Sequence, residues 1–217
     1  MYDKLVILIP TYNPSEKLIK TIEVLKDSGF NHIIVVNDGS INNEVFNEIE
    51  VDRVLKIKTN KGKGVSLKTG FEYLKKLNFD GVITVDDDLQ QDIVDIKKMA
   101  DSFIKENGIY FGVRDFDGAP FIRKTANKFV SKLFKLLYKF DICDTQTGLR
   151  CFPKSLFDEL ISISGDRFEY EMNVLKYLVK NKYNINMINI KTIYNDNKSH
   201  YSVFIDSFKI IKALLKK

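Results

Sequence analysis

The chain has few cysteines and no long apolar run, which argues against a disulfide-rich or a membrane-spanning protein. Its 217 residues include two cysteines, four prolines and no tryptophan. Cys143 and Cys151 give neither a disulfide framework nor a paired metal-ligand motif, and no run approaches the ~18 apolar residues that a transmembrane helix needs. The N-terminal MYDKLVILIP has no cleavage-site pattern, so we interpret it as a first strand rather than a signal peptide. We therefore expect a reduced, cytoplasmic protein.

Positive charge is modest in total but concentrated in one segment. The net charge is +5. Between residues 123 and 140 there is no acidic residue, and the basic ones are Arg123, Lys124, Lys128, Lys132, Lys135 and Lys139. Such a segment is typical of contact with an anionic partner: nucleic acid, lipid headgroups or a phosphorylated substrate. No zinc-finger or RNA-recognition signature accompanies the charge, so we predict no nucleic-acid partner.

Strands and helices alternate along the first half of the chain. Apolar, β-branched runs predict five strands, at residues 5–9, 32–36, 53–57, 81–85 and 109–113. Helical spacing predicts three helices between them, at residues 15–28, 64–77 and 92–105. Ser15 is expected to cap the first helix, and Gly29 to end it. This alternation favours an α/β fold with a mostly parallel sheet that helices cover on both faces.

The pattern changes after residue 114. A long basic segment leads to DTQTGLRCF at residues 144–152, and then come a predicted helix at 168–181, a strand at 185–190 and a C-terminal helix. No linker rich in Pro, Gly or Ser separates the two parts of the chain. We therefore predict a single domain over residues 1–217, with halves at 1–114 and 115–217.

Three adjacent carboxylates, Asp86, Asp87 and Asp88, follow the fourth predicted strand. Like charges at the edge of a core cost stability unless a cation neutralises them. Asp86 and Asp88 point to the same side in an extended backbone. With the side-chain carbonyl of Gln90 they suit Mg²⁺ or Mn²⁺ shared with phosphates. The alternative is a charged turn, but the buried strand before it and the glutamine after it favour a metal site.

Polar motifs also follow the first two predicted strands. PTYNP occupies residues 10–14 after the first strand, and NDGS occupies residues 37–40 after the second. Ligands of parallel α/β sheets bind at the carboxyl ends of the strands. We therefore expect these two motifs and the aspartates to share one site.

Five segments, taken in order, resemble family 2 glycosyltransferases of the GT-A fold, with the dolichol- and polyprenyl-phosphate sugar transferases as the nearest group. They are IPTYN (9–13), VVNDGS (35–40), NKGKGVSLKTGF (60–71), VDDDLQ (85–90) and QTGLRCF (146–152). The resemblance implies metal-dependent, inverting transfer of a sugar from a UDP- or GDP-linked donor to a polyprenyl-phosphate-type acceptor. It assigns the nucleotide sugar to residues 1–114 and the acceptor to residues 115–217.

The resemblance also implies roles for single residues. The nucleotide would be bound by Pro10, Thr11, Tyr12, Asn13, Asp38, Lys61, Lys63 and Asp86. Within that set, Asp38 would face the base. The metal ligands would be Asp86, Asp88 and Gln90. Donor or acceptor phosphate would be bound by Arg114, Arg123 and Arg150. The catalytic residues would be Asp88 and Asp144, the latter serving as a general base if the acceptor is a sugar hydroxyl.

Plainer roles compete with several of these assignments. GKGVS lacks P-loop spacing, so Lys61 and Lys63 are equally explained as solvated lysines at a helix start. Asp144 is equally explained by a turn, and solvent exposure explains Arg123. At the level of function, the alternatives are a transferase acting on a sugar hydroxyl, a metal-dependent nucleotidyltransferase, and a non-catalytic nucleotide-sugar-binding protein.

The basic segment also predicts an amphipathic helix. Its lysines recur on one side, and another side carries Phe129, Leu133, Leu136, Leu137 and Phe140. The C-terminal segment is similar, with Phe204, Phe208, Ile211 and Leu215 in line. Such helices suit a membrane interface, and the alternative is a core helix with its lysines in water. We expect a peripheral protein that reaches a lipid-phosphate acceptor from the inner face of the cell membrane.

Overall fold

The computed structural model describes residues 2–114, 121–191, 193 and 214, without the side chains of residues 121–123. Within these residues one sheet contains seven strands: Leu5–Thr11 (β1), Ile33–Asp38 (β2), Arg53–Ile57 (β3), Gly81–Thr84 (β4), Ile109–Arg114 (β5), Arg150–Pro153 (β6) and Ile185–Ile190 (β7). The α-helices are Glu16–Asp27 (α1), Val45–Glu48 (α2), Lys63–Lys75 (α3), Ile93–Lys105 (α4), Phe121–Tyr138 (α5), Phe157–Ser162 (α6) and Glu169–Lys180 (α7). A short 3₁₀ helix, Lys154–Leu156, precedes α6.

The order of the strands places a switch point in the middle of the sheet. The order is β3-β2-β1-β4-β6-β5-β7, and β6 runs antiparallel to both of its neighbours while the other pairs are parallel. The chain moves outward from β1 in one direction through β2 and β3, and in the other direction from β4 onward. In such sheets ligands bind at the carboxyl ends of the strands beside the switch point. Here those are the ends of β1 and β4.

Helices cover both faces of the sheet, which explains why its strands are almost continuously apolar. Alternate residues of β1 point to opposite faces. Val6 and Leu8 pack with residues of α3, α5, α6 and α7. Leu5, Ile7 and Ile9 pack instead with residues of α1 and α4. The predicted α/β fold with a mostly parallel sheet is confirmed.

The predicted elements differ from the structure in their ends and in elements that the sequence did not predict, among them the strand β6 and the short helices α2 and α6. Each strand predicted in the first half is present; β3 has the predicted bounds, and the other four differ by one or two residues at one or both ends. Ser15 caps α1 as expected. The strand β6 was not predicted, because its four residues lie within a segment interpreted only as a binding motif. The predicted C-terminal helix, with Phe204, Phe208, Ile211 and Leu215, lies outside the described residues. The division into two halves stays a prediction.

Among the helices of the described ranges, none has the length and apolarity that crossing a membrane would require.

Candidate active site

The loops after β1 and β2 are tied to each other at the carboxyl edge of the sheet. The Asn13 N–H donates to Ser40 Oγ at 2.8 Å, and Asn13 Oδ1 accepts from the N–H of Ile41 at 2.9 Å. Asn13 has a φ of 50°, a left-handed conformation that asparagine tolerates better than most residues. Pro10 and Thr11 are buried, whereas Tyr12 and Asn13 are partly exposed. Asn13 therefore ties the loop after β1 to the loop after β2, and the contact of residues 10–13 with a nucleotide stays a prediction.

Asp38 holds the loop that precedes α3. Asp38 is 3% exposed, and its carboxylate accepts from the N–H of Lys61 at 2.8 Å and from that of Gly62 at 2.6 Å. The next residue, Gly39, has a φ of +70°, and a Cβ there would lie 2.5 Å from the carbonyl carbon of Thr59. Asp38 thus positions the loop, and its contact with a base stays a prediction. The residue Lys61 is exposed, which leaves the solvated interpretation of its side chain open.

Lys63 points into the site instead of into water. Its Nζ lies 2.7 Å from Asp86 Oδ1 and 3.0 Å from Glu171 Oε1, and its side chain is 15% exposed. Burial lowers the pKa of this ammonium, but the two carboxylates outweigh burial and raise the pKa above its usual value. Lys63 therefore stays charged, and the solvated alternative is wrong for this residue.

The three aspartates have three different environments. Asp86 Oδ2 accepts from Gln91 Nε2 at 3.0 Å, in addition to the contact of Oδ1 with Lys63. Asp87 accepts from the hydroxyl of Thr11, which joins the ends of β4 and β1. Asp88 Oδ1 accepts from the N–H of Gln90 at 3.0 Å. Burial, with the neighbouring charges of Asp86 and Asp87, raises the pKa of Asp88 to about 6.

The carboxylates of Asp86 and Asp88 fit a divalent cation that is shared with a substrate. No group of three or more His, Cys, Asp or Glu side chains within the described residues is placed to hold a metal ion. Mg²⁺ is commonly bound by one or two carboxylates together with substrate phosphates, and Asp86 and Asp88 can supply these. The raised pKa of Asp88 reflects crowded negative charge, which a bound cation would relieve. The side-chain amide of Gln91 contacts Asp86, and the role of Gln90 as a metal ligand stays a prediction.

The segment QTGLRCF reaches the aspartates through β6. The antiparallel pairing of β4 with β6 brings the start of β6 beside the end of β4, where Thr84 Oγ1 donates to the Gly148 carbonyl at 2.7 Å. A Cβ at Gly148 would lie 2.3 Å from Asp86 Oδ2. A glycine is therefore needed for the loop to approach Asp86 this closely.

Arg150 does not have the exposure that the predicted phosphate contact requires. It is 2% exposed, and its guanidinium donates to the carbonyls of Thr147 at 2.9 Å, Glu171 at 2.7 Å and Thr145 at 3.4 Å. It also lies over the ring of Phe111, 4.3 Å from the centroid. Burial lowers the pKa of Arg150. The negative charges of Glu171 and Asp144 act in the other direction and raise it, but burial is the larger effect. Its position corrects the prediction: Arg150 organises the loop before β6 and the start of α7.

Asp144 and Arg114 form a bidentate ion pair. The Nε and Nη2 atoms of Arg114 lie 2.6 and 3.0 Å from Asp144 Oδ2 and Oδ1, and Oδ1 also accepts from the N–H of Gln146 at 3.1 Å. The Asp144 side chain is 0% exposed, and that of Arg114 is 27% exposed. This geometry does not fit the predicted base role, because both oxygens are engaged and neither faces solvent. The side chain of Arg123 lies outside the described residues.

Comparison with known structures shows the class of fold. Glucosyl-3-phosphoglycerate synthase from Mycobacterium tuberculosis, in complex with Mn²⁺, UDP and phosphoglyceric acid, matches with a TM-score of 0.76 at 15% identity, over 98% of this chain and 77% of that chain. The same enzyme with Mg²⁺ and UDP matches with a TM-score of 0.72 at 13% identity, over 98% and 78%. The fold is that of the GT-A glycosyltransferases.

Sequence comparison gives the family. The model of glycosyl transferase family 2 matches residues 6–161. The chain is 30% identical to a UDP-N-acetylglucosamine–dolichyl-phosphate N-acetylglucosaminyltransferase of Methanococcus voltae, over 99% of this chain and 96% of that protein. It is 25% identical to glycosyltransferase AglJ of Haloferax volcanii, over 79% of this chain and 58% of that protein. The chain belongs to glycosyl transferase family 2 and is a glycosyltransferase, which confirms the resemblance and favours an enzyme over the non-catalytic alternative.

Proposed function

We propose that this glycosyltransferase moves a sugar from a UDP-linked donor to a polyprenyl phosphate, with inversion and with Mg²⁺ or Mn²⁺. The observation that carries the choice of acceptor is the set of hydrogen bonds at Asp144, whose two oxygens accept from Arg114 and Gln146. A sugar hydroxyl needs a base to remove its proton. A phosphate oxygen is already anionic and needs none. The name of the M. voltae relative, which includes a dolichyl phosphate, supports the same acceptor class.

The residues of the site divide the work between donor and acceptor. Residues Pro10, Thr11, Tyr12 and Asn13, at the carboxyl end of β1, would line the nucleotide pocket. Asp88, with Asp86, would hold the cation, and the bound metal would stabilise the negative charge that develops on the leaving diphosphate. The partly exposed guanidinium of Arg114 would bind the acceptor phosphate, since Asp144 fixes its orientation and Arg matches the geometry of phosphate.

The affinity for metal and donor should fall as the pH drops below about 6. The cation binds the ionised carboxylate of Asp88, whose pKa is raised to about 6 without metal. Below that pH a proton competes with the cation, so the affinity should fall by up to about tenfold per pH unit. It should be level above pH 7. Calorimetric titration with Mn²⁺ and a UDP-sugar between pH 5 and 8 measures this profile.

A UDP-sugar is the right probe for that titration, because its diphosphate is esterified at both ends, whereas a terminal phosphate group titrates near pH 6. The Asp88→Asn variant is the control, and whatever weak binding it retains should not change across this range. An affinity of the wild type that stays level down to pH 5 would contradict the assignment of Asp88 as a metal ligand.

Helix α5 has two apolar faces, and one of them is exposed. Val130 and Phe134 are buried in the core. Phe129, Leu136 and Leu137, on the predicted apolar side, are 58, 76 and 46% exposed. The exposed lysines beside them are Lys128, Lys132, Lys135 and Lys139. An exposed apolar stripe beside basic residues suits an anionic membrane surface. We propose peripheral membrane contact through this face, which would bring the enzyme to a lipid-linked acceptor.

A transfer assay with two forms of the acceptor tests the acceptor and the membrane contact together. Labelled sugar from UDP-N-acetylglucosamine should pass to a long-chain polyprenyl phosphate in anionic vesicles and to a short-chain, soluble one. The rate of transfer to the vesicles should be about tenfold or more lower in the double variant Phe129→Ser/Leu136→Ser. Each substitution removes apolar burial in the membrane surface that contributes about 1.5 kcal/mol or more. On the soluble acceptor the double variant should stay within about twofold of the wild type.

The matched control removes two exposed apolar side chains from another helix. Val94 and Ile104 of α4 are 66 and 57% exposed, and Val94→Ser/Ile104→Ser should leave transfer to the vesicles unchanged. Equal losses in both double variants would contradict a specific role for α5. Transfer to a sugar hydroxyl, with none to either polyprenyl phosphate, would overturn the proposed acceptor.

A further inference from the structure

Lys63 is shared between carboxylates from two different parts of the fold. Its Nζ lies 2.7 Å from Asp86 Oδ1 in the loop after β4, and 3.0 Å from Glu171 Oε1 in the first turn of α7. The side chains of Asp86 and Glu171 are 32 and 9% exposed. Asp86 therefore faces the open site, and Glu171 lies behind the lysine.

Glu171 stands on a rigid support. Its carbonyl accepts from Arg150 Nη1 at 2.7 Å. Helices α3 and α7 approach so closely that a Cβ at Gly64 would lie 2.6 Å from Tyr170 Cβ. The Tyr170 hydroxyl, in turn, donates to the Leu160 carbonyl at 2.7 Å. These contacts hold the start of α7 against the start of α3, so the carboxylate of Glu171 is held beside Lys63.

A cation bound at the aspartates changes the balance of charge around Lys63. A divalent ion on Asp86 and Asp88 would withdraw negative charge from the ammonium and would repel it, and both effects are strong where water is scarce. Of the two carboxylates that contact Lys63, Glu171 is the one outside the proposed metal loop. It is therefore placed to keep the ammonium in the site when the metal takes Asp86.

We propose that Glu171 is a positioning residue that holds Lys63 beside the donor diphosphate once the metal occupies Asp86. The inference rests on the proposed function, because it requires a metal–diphosphate at this edge of the sheet. Glu171 would not touch the substrate. It would act through Lys63, whose ammonium contributes a second positive charge on the diphosphate beside the metal.

The Glu171→Gln variant removes the charge and keeps the shape. We expect it to weaken the binding of UDP with Mn²⁺ about tenfold, or about 1.4 kcal/mol, because the ammonium of Lys63 loses a charged hydrogen-bond partner. In turnover, KM for the donor should rise and kcat should change less. Calorimetry and steady-state kinetics measure these two effects separately.

Glu169 supplies the matched control on the same helical turn. Its Oε1 accepts from the N–H groups of Asp166 at 3.1 Å and Arg167 at 3.2 Å, and a glutamine can still accept both. Glu169→Gln should therefore bind UDP with Mn²⁺ as the wild type does. If Glu171→Gln does not fold, Glu171→Asp is the second variant. It keeps the negative charge on a side chain one methylene shorter, farther from Lys63, and should weaken the binding of UDP with Mn²⁺ by a smaller factor.

A double-mutant cycle with Lys63→Met separates positioning from a general structural role. If Glu171 acts through Lys63, Glu171→Gln should cost no further affinity once the lysine is absent. An additive loss would contradict the proposal. So would a Glu171→Gln or Glu171→Asp variant that binds as tightly as the wild type, and either result would leave the proposed function intact. A wild type with no metal-dependent nucleotide binding would overturn both together.

Discussion

The Asp88→Asn substitution should abolish most metal-dependent catalysis. It should also make the folded protein more stable than the wild type when no metal is present. The loss follows from the proposed role of Asp88, because a metal ion contributes several kcal/mol of charge stabilisation in the transition state. Every 1.36 kcal/mol is tenfold in rate, so the rate of sugar transfer should fall at least about a hundredfold.

The gain in stability follows from the pKa of Asp88, which is raised from the usual 3.8 to about 6. Between these two pH values the folded state binds more protons than the unfolded state, so the free energy of unfolding decreases as the pH rises through that window. At pH 7 the carboxylate is charged in both states, and its charge destabilises the folded protein. Two pKa units set an upper limit of about 3 kcal/mol, and we expect the amide to recover about 1–2 kcal/mol.

Urea unfolding without metal, at pH 7 and at pH 4, measures the effect of Asp88→Asn on stability. The variant should be more stable than the wild type at pH 7, and the difference should shrink towards pH 4. Asp92→Asn in the same loop is the control. Asp92 caps α4 by accepting from the N–H of Val94, and asparagine is an equally good N-cap, so this substitution should leave the stability unchanged. A destabilised Asp88→Asn variant, or one that retains full metal-dependent activity, would contradict the assignment.

The Arg114→Met variant should be among the least stable single variants of this chain. Methionine keeps most of the apolar stem but removes the charge, which leaves the fully buried carboxylate of Asp144 without the guanidinium that contacts it. Breaking a buried ion pair from one side costs about 3–5 kcal/mol. At about 2–4 °C per kcal/mol for a chain of this size, the melting temperature should fall by roughly 10 °C.

Two controls separate this effect from the loss of any ion pair. Lys135 and Asp141 form a pair whose side chains are 59 and 70% exposed, so Lys135→Met should cost less than about 1 kcal/mol. The double variant Arg114→Met/Asp144→Asn removes both charges of the pair and should recover part of the lost stability. A melting temperature of Arg114→Met close to that of the wild type would show that the Asp144 pair does not stabilise the fold.

The sheet was predictable because local pattern and tertiary position agree in its strands. β1 and β2 are apolar on both faces since helices cover both, so their sequence alone indicates a buried parallel sheet. β6 escaped prediction because its antiparallel place between β4 and β5 is a long-range pairing. The four residues of β6 carry no periodicity that would reveal such a pairing.

The candidate site was predictable in its location but not in its contacts. The aspartates, PTYNP and NDGS were expected together because each follows a strand of one sheet. Which partner each charge takes depends on the approach of distant elements. Lys63 meets Glu171 because α3 and α7 touch through Gly64. Arg150 is buried because β6 lies inside the sheet. No spacing in the sequence indicates either contact.

The most direct measurement is a calorimetric titration of the wild type with UDP and with GDP, each with and without Mn²⁺. If the aspartates after β4 hold a metal–diphosphate, UDP should bind tightly with Mn²⁺ and at least about tenfold, or about 1.4 kcal/mol, more weakly without it. GDP should bind more weakly than UDP. Binding that is indifferent to the metal, or no binding of either nucleotide, would contradict the assignment of Asp86 and Asp88 as the metal site of this glycosyltransferase.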